Sequence, residues 1–194
     1  MNLILASSSP RRKQLLETVG IPIFSVRPAN IIEKPLKGEL PHIYCIRLAK
    51  EKCETVSEIG FCTLAADTIV CKDVAVFEKP LDDEDAYRML KNLSNGWHSV
   101  ISAWHFIAKP ENNTIIVRAG HSISKVLFRP LTDTEIYNYI KTGEPKDKAG
   151  SYGIQGLGAV LVKEISGSYS NIVGLPLQQV LTALHEVGIH PEVQ

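Results

Sequence analysis

The sequence predicts an α/β fold in which helices flank a mixed β-sheet. Three observations carry that prediction. Strand-like and helix-like segments alternate along the chain. Two long stretches rich in β-branched and aromatic residues, 97–108 and 114–127, stand mid-chain as a hairpin, which a purely parallel sheet does not contain. Pro, Ser, Thr and Gly stand where the helical segments should begin and end.

The elements follow in order. Residues 3–6 form a short apolar strand. Ser7-Ser8-Ser9-Pro10 comes next, with Pro10 suited to the first position of a helix and Ser9 to its N-cap. Leu15, Leu16 and Val19 stripe that helix, and Gly20 stops it. A second helix is predicted over 41–56. A buried strand over 64–71 pairs with 74–77 across Lys72-Asp73. A helix over 83–93 ends before Asn95-Gly96. The central hairpin turns at 110–113. Thr132-Asp133-Thr134-Glu135 is a capping box opening a helix that Gly143 closes. A glycine-rich loop over 150–158 leads to a strand over 159–165. The last helix follows Pro176, striped by Leu177, Val180, Leu181, Leu184 and Val187, and Gly188 ends it.

The 194 residues make one domain, 1–194, which at this size can divide into two lobes. Lys plus Arg and Asp plus Glu are 21 each, so the net charge is zero. That balance argues against a partner made of nucleic-acid polymer, which calls for a basic excess. It leaves room for a small anion held by a local cluster. Cys45, Cys53, Cys62 and Cys71 show neither CxxC spacing nor a histidine at zinc-ligand spacing, and read as buried thiols in a reducing cytoplasm. No stretch approaches the ~18 apolar residues of a membrane span, and the first residues lack a signal peptide's basic start. The reading is a soluble cytoplasmic protein without a membrane partner.

Several constellations could carry chemistry. Ser7-Ser8-Ser9-Pro10-Arg11-Arg12 sets three hydroxyls and two guanidiniums at a helix start, where free N–H groups favour anions. A phosphate cradle and a capped helix with a solvated basic turn both fit, though Arg11 and Arg12 oppose the helix dipole. Asp67 interrupts the apolar run 64–70, where an unpaired carboxylate would be costly. It calls for a metal, a cation or a proton; a turn cap is the blander alternative. Lys52 falls on the apolar face of its helix with Cys45 and Leu48, either snorkelling or pointing inward as a phosphate ligand. Arg47, Lys50, Glu51 and Glu54 fall on the solvated side. Lys79-Pro80 alone reads as a turn. The stretch 143–158 holds five glycines, which permits close approach of backbone to a ligand or simply makes a connector. Residues 168–176 read as a polar structural turn. The histidines form no HExxH; His98 and His105 read as satisfied sheet residues, and Trp97, Trp104, Phe106, Tyr137 and Tyr139 as core or sheet packing. The absence of GxSxG argues against an α/β-hydrolase serine.

Together these blocks resemble the Maf family of nucleoside triphosphate pyrophosphatases. The resemblance rests on Leu5-Ala6-Ser7-Ser8-Ser9-Pro10-Arg11-Arg12, Leu48-Ala49-Lys50-Glu51-Lys52, Ala66-Asp67-Thr68-Ile69-Val70, Lys79-Pro80, Asp147-Lys148-Ala149-Gly150-Ser151-Tyr152-Gly153-Ile154-Gln155-Gly156 and Tyr169-Ser170-Asn171-Ile172-Val173-Gly174-Leu175-Pro176-Leu177, in family order from residue 5 to 177. It implies an elongated mixed sheet in two lobes around a central cleft, as in inosine triphosphatase-like proteins. It also implies hydrolysis of a nucleoside triphosphate to monophosphate and pyrophosphate with a divalent ion, Mg²⁺ or Mn²⁺. Asp67 matches the family's proton acceptor and a metal ligand. Glu33 matches an acidic position tied to metal or water. Ser7, Arg12, Lys52 and Lys79 match phosphate positions, with Arg11 beside them. Arg12, Thr68 and Gln155 match positions linked to base choice. The wording of 152–156 and 169–176 resembles the branch acting on dTTP and UTP, with modified pyrimidine nucleotides as a house-cleaning variant. A non-catalytic nucleotide-binding regulator of cell division is the alternative, and a homodimer is the assembly the resemblance allows. Two positions depart from the family pattern: Ile32-Glu33 replaces an acidic pair, and Glu78 stands where Gly is usual before Lys-Pro.

Overall fold

The computed structural model describes residues 1–111 and 114–192. The expected turn at 110–113 includes positions 112 and 113, which lie outside the described residues. The elements are β1 (Asn2–Leu5), α1 (Pro10–Thr18), β2 (Ser25–Val26), α2 (Pro41–Val56), β3 (Phe61–Lys72), β4 (Ala75–Phe77), α3 (Asp83–Leu93), β5 (Trp97–Ala108), β6 (Ile116–Phe128), α4 (Asp133–Lys141), β7 (Val162–Ser166), α5 (Tyr169–Val173) and α6 (Leu177–His185), with three short 3₁₀ turns between α4 and β7. Among the described residues the seven strands form one mixed sheet in the order β2-β1-β3-β5-β6-β7, with β4 on β3. β1 pairs in parallel with β2 and β3, whereas β3–β4 and β6–β7 are antiparallel.

The chain divides into two compact units. The first comprises residues 1–67, 102–122 and 174–194, and the second 68–101 and 123–173. Each has its own core. In the first, strand alternation decides which helix meets which side chain. Leu3, Leu5, Leu64, Ala66, Trp104, Phe106 and Ala108 pack with Leu16 of α1 and Val180 and Leu184 of α6. The intervening Ala65 and Ile107 pack with Cys53 of α2. Helices therefore cover both faces of the sheet here, and Asp67, two residues beyond Ala65, shares the α2 face. Cys53 Sγ meets the Thr63 carbonyl at 3.3 Å and Cys45 Sγ meets the Asp67 carbonyl at 3.4 Å, so α2 runs antiparallel to β3.

The second unit packs Val70, Val100, Val126 and Phe128 of the sheet against Leu90 and Leu93 of α3 and Ile136 and Ile140 of α4. The expected capping box at Thr132 is present in both directions. His98 is buried, and its Nε2 lies 2.8 Å from the Tyr152 hydroxyl. Tyr137 departs from its expected core role: it is exposed and stacks on Tyr87 with ring centroids 4.8 Å apart. Trp97 is likewise 41% exposed.

The strand expected over 159–165 begins later. Gly156–Leu161 forms a 3₁₀ turn, and β7 starts at Val162. Glu144 accepts the Leu157 and Gly158 N–H groups at 2.9 and 3.0 Å and so anchors the start of that turn, which runs on through Leu161. Residues 169–173, expected as a turn, make a short helix. All four cysteines are free and buried, and burial pushes Cys53 up to about 12 and Cys62 to about 11.

Candidate active site

In the first unit, β1 ends at Leu5, and Ala6 N–H extends its ladder to the Leu64 carbonyl at 2.8 Å. The chain then turns through Ser7 to Ser9 into α1. Ser9 has the extended backbone of an N-cap, but its side chain makes no capping bond. Ser7 organises the turn instead. Its Oγ accepts from Ser9 N–H at 3.2 Å and from Arg12 Nη1 at 2.9 Å. Arg12 Nε donates to the Gly174 carbonyl at 2.8 Å. Arg12 is thus a buried cation in a first helical turn, a position where the dipole is unfavourable to it. Burial pushes its pKa down, and the negative charges of Asp67 and Glu33 act against that, which places both carboxylates within its electrostatic reach. Arg11, next to it, is half-buried.

α2 supplies the second cation. Pro41 opens the helix at its first turn, and Tyr44, Cys45, Leu48, Ala49, Lys52 and Cys53 form its buried face. Lys52 points inward. Helical side chains lean toward the N-terminus, the direction along α2 in which Asp67 lies. Its Nζ donates to Asp67 Oδ1 at 2.7 Å and to Glu33 Oε2 at 2.8 Å. The Lys52 and Asp67 side chains are 11% and 8% exposed, whereas that of Glu33 is 47% exposed. Asp67 therefore meets the need for a partner with a cation.

Glu33 comes from the irregular segment between β2 and α2. Arg47, on the same helix as Lys52, holds that segment. Its Nη2 donates to the Lys34 carbonyl at 3.0 Å, and Glu39 receives its Nε and Nη2, both at 2.7 Å. These hydrogen bonds from Arg47 bring the Glu39 carboxyl down to about 2.

Ser7, Arg12, Lys52, Asp67 and Glu33 thus meet within one unit, although the sequence separates them by up to 60 positions. Thr68, Lys79 and Gln155 belong to the second unit. Thr68 follows Asp67 on β3 and is half-buried. Lys79 is exposed in the bend after β4, and the Glu78 carbonyl accepts from Gly150 N–H at 3.1 Å. Gly150 has φ +68°, and a Cβ there would meet Val70 Cγ1 at 2.9 Å, so only glycine lets the loop lie on the sheet. Gln155 is half-buried and precedes the 3₁₀ turn at Gly156.

The donor chemistry sets which metal suits the first-unit cluster. Asp67 and Glu33 are hard oxygen ligands. Among the described residues no group of three or more His, Cys, Asp or Glu converges into an all-protein cage. Two carboxylates suit an ion such as Mg²⁺ or Mn²⁺ that completes its shell with water and substrate phosphate, and do not suit zinc.

Sequence reasoning missed two contributors. The Gly174 carbonyl and the Cys45 thiol touch the site through backbone and packing contacts that no motif spacing reveals.

A family model described as "Maf-like protein" matches residues 2–187. The chain belongs to the Maf family. Relatives named dTTP/UTP pyrophosphatase include those of Geobacter sp. (strain M21), 44% identical over 96% of both chains, and Aquifex aeolicus (strain VF5), 41% identical over 97% of both. The Halalkalibacterium halodurans relative of that name is 45% identical over 96% of both chains. Among solved structures, a HAM1 protein from Coxiella burnetii aligns with a TM-score of 0.49 and 16% identity over 96% of this chain and 99% of that one, a likeness too low to carry weight. No helix among the described residues is long and apolar enough to cross a membrane.

Proposed function

We propose that this Maf chain hydrolyses dTTP and UTP to the nucleoside monophosphate and pyrophosphate. The observation that carries the reading is the buried Lys52–Asp67 pair, 2.7 Å apart, in a chain whose relatives of that name share 41–45% identity over nearly their full lengths. A carboxylate and two buried cations assembled from three distant segments are costly to bury and suit a polyanionic substrate. On this reading residues 1–194 work as one catalytic domain in the cytoplasm, on a small nucleotide, with a homodimer as the assembly the resemblance allows.

The reaction needs charge neutralisation and a placed water more than covalent chemistry. Arg12, Lys52 and Lys79, with Ser7, Arg11 and the N–H groups opening α1, receive the phosphates. Water attacks the α-phosphorus, the bond from that phosphorus to the bridging oxygen breaks, and pyrophosphate leaves with the bond's electrons. Asp67 accepts the water's proton. The Lys52 ammonium, shared between Asp67 and Glu33, fixes both carboxylates and offers a third donor to an incoming phosphate. Asp67 and Glu33 would hold the divalent ion, which when bound supplies charge neutralisation and a more acidic water. Arg12, Thr68 and Gln155 serve base choice, and Gln155 can both donate to and accept from a pyrimidine edge.

Pyrophosphate release from UTP, dTTP, CTP and GTP, with and without Mg²⁺, tests this. The expected result is Mg²⁺-dependent release with UTP and dTTP preferred over CTP and GTP. Tight nucleotide binding without turnover would replace the enzyme with a nucleotide-sensing regulator. A preference for GTP would remove the pyrimidine assignment.

A further inference from the structure

Glu144 and Tyr139 form a brace around the peptide that carries Gln155, and nothing in the proposed chemistry uses either residue. Glu144 stands in the 3₁₀ turn Glu144–Asp147 that follows α4. Its Oε1 accepts from the Tyr139 hydroxyl at 2.8 Å and from Gly158 N–H at 3.0 Å, and its Oε2 accepts from Leu157 N–H at 2.9 Å. The Tyr139 oxygen in turn accepts from Gly153 N–H at 3.3 Å. One carboxylate and one phenol thus hold the chain two residues before Gln155 and two to three residues after it.

The fit leaves little slack. A Cβ on Gly156 would lie 2.8 Å from Glu144 Oε2, and one on Gly158 would collide with the Gly153 carbonyl and the Tyr139 hydroxyl. The Lys148 ammonium closes the far side, donating to the Glu144 carbonyl at 2.6 Å. Burial alone would push the Glu144 carboxyl up. The N–H groups of Gly158 and Leu157 and the Tyr139 hydroxyl outweigh that and hold it below the ordinary carboxylate range. Burial and the bond to Glu144 push Tyr139 up, so it stays a neutral phenol that donates.

We infer that Glu144 and Tyr139 are positioning residues for base choice, fixing the backbone on both sides of Gln155 so that its amide meets the pyrimidine edge in one orientation. The inference rests on the reading of Gln155 as a base-reading residue. Selectivity between bases that differ in donor and acceptor pattern depends on polar groups held still, because a mobile amide can satisfy either edge. A surface brace with no such role would affect melting temperature and leave the ratio between nucleotides alone.

The test uses the full-length protein and steady-state kinetics with UTP and CTP. Glu144→Gln places an NH₂ against an N–H donor where an oxygen now accepts. Tyr139→Phe removes one hydroxyl and keeps the ring, and serves if Glu144→Gln does not fold. Each variant should raise the KM for UTP and lower the UTP-over-CTP ratio of kcat/KM by about tenfold, with kcat within about threefold of wild type, as expected for one lost oriented hydrogen bond. Gln155→Ala should relax the same ratio, and Tyr139→Phe/Gln155→Ala should relax it no further than Gln155→Ala alone. If Gln155→Ala relaxes the ratio and the brace variants do not, the brace inference fails by itself. If the brace variants relax it and Gln155→Ala does not, base choice lies elsewhere in the loop, and both the assignment of Gln155 and its positioning by the brace fall. Additive effects in the double variant would overturn the positioning of Gln155 by the brace, and an unchanged ratio in all variants would overturn both.

Discussion

Two cations on α2, five residues apart, each sit between one shielded and one exposed carboxylate, and they differ in how far water reaches the cation itself. Arg47 lies between Glu39 and Glu51, with side-chain exposures of 22% for Arg47, 6% for Glu39 and 39% for Glu51. Lys52 lies between Asp67 and Glu33, at 11% exposure for Lys52, 8% for Asp67 and 47% for Glu33. In the outer set water still reaches Arg47 and Glu51, a pair of a kind that contributes up to about 1 kcal/mol, while the shielded Glu39 is held by two charged hydrogen bonds. The inner set is poor stabilisation, because stripping water from an ammonium and a carboxylate costs several kcal/mol and a pair of apolar residues would serve the core as well. On the proposed reading, the inner charges serve a substrate that the outer ones never meet.

The comparison can be broken most sharply at Asp67. Asp67→Asn should lower pyrophosphate release at least about 10³-fold while the protein still folds, because the amide cannot accept the water's proton. Retained turnover would show that the inner set is merely structural. Stability gives the next largest effect. Lys52→Met strands a buried carboxylate and should cost about 3–5 kcal/mol by urea unfolding, and Lys52→Met/Asp67→Leu should recover most of that with no activity. If the double variant stays as unstable as the single one, the inner pair holds the fold after all.

His98 applies the same burial cost to a titratable neutral group in the second unit. Burial, reinforced by the Lys72 charge, pushes its pKa from 6.5 down to about 4. The unfolded chain therefore takes up a proton near pH 6.5 that the folded chain refuses until about pH 4. The stability from this site is fully present above pH 6.5 and falls by about 3 kcal/mol as the pH drops to 4. His98→Gln can keep a bond to the Tyr152 hydroxyl without titrating, so its stability should decline less steeply over that window. Equal slopes would show that His98 does not set them. The smallest effect belongs to the outer set, where Arg47→Gln removes both bonds to the shielded Glu39 carboxylate and should cost about 2 kcal/mol in thermal or urea unfolding. A larger loss would mean that the clasp on the Lys34 carbonyl matters more than its charge.

Much of this was legible in the sequence, for local reasons. The bounds of α2 follow from Pro41 and its amphipathic stripe, the end of α3 from Asn95-Gly96, and the central strands from their β-branched runs. The two-residue β2 was not legible, because β1's ladder makes it a strand and its own side chains carry no pattern. The late start of β7 was hidden for a similar reason: the turn Gly156–Leu161 is anchored at its start by Glu144, twelve residues upstream of Gly156, and a contact of that range leaves no pattern in the local sequence. Within the site, Asp67 and Lys52 each stood out as a charge in an apolar stretch. That they answer each other could not be read, since a contact across 15 residues depends on how α2 lies on β3. The spacing of Arg12 gave no sign that the Gly174 carbonyl, 162 residues away, would fix its orientation.

The central claim is that this site directs water to the α-phosphorus of a pyrimidine nucleoside triphosphate. Hydrolysis of UTP in ¹⁸O-labelled water with Mg²⁺, read by mass spectrometry of the products, tests it most directly. The account predicts one labelled oxygen in UMP and none in pyrophosphate. Label in the pyrophosphate would place the attack at the β-phosphorus, release of orthophosphate would mean cleavage at the γ-phosphorus, and either would contradict it.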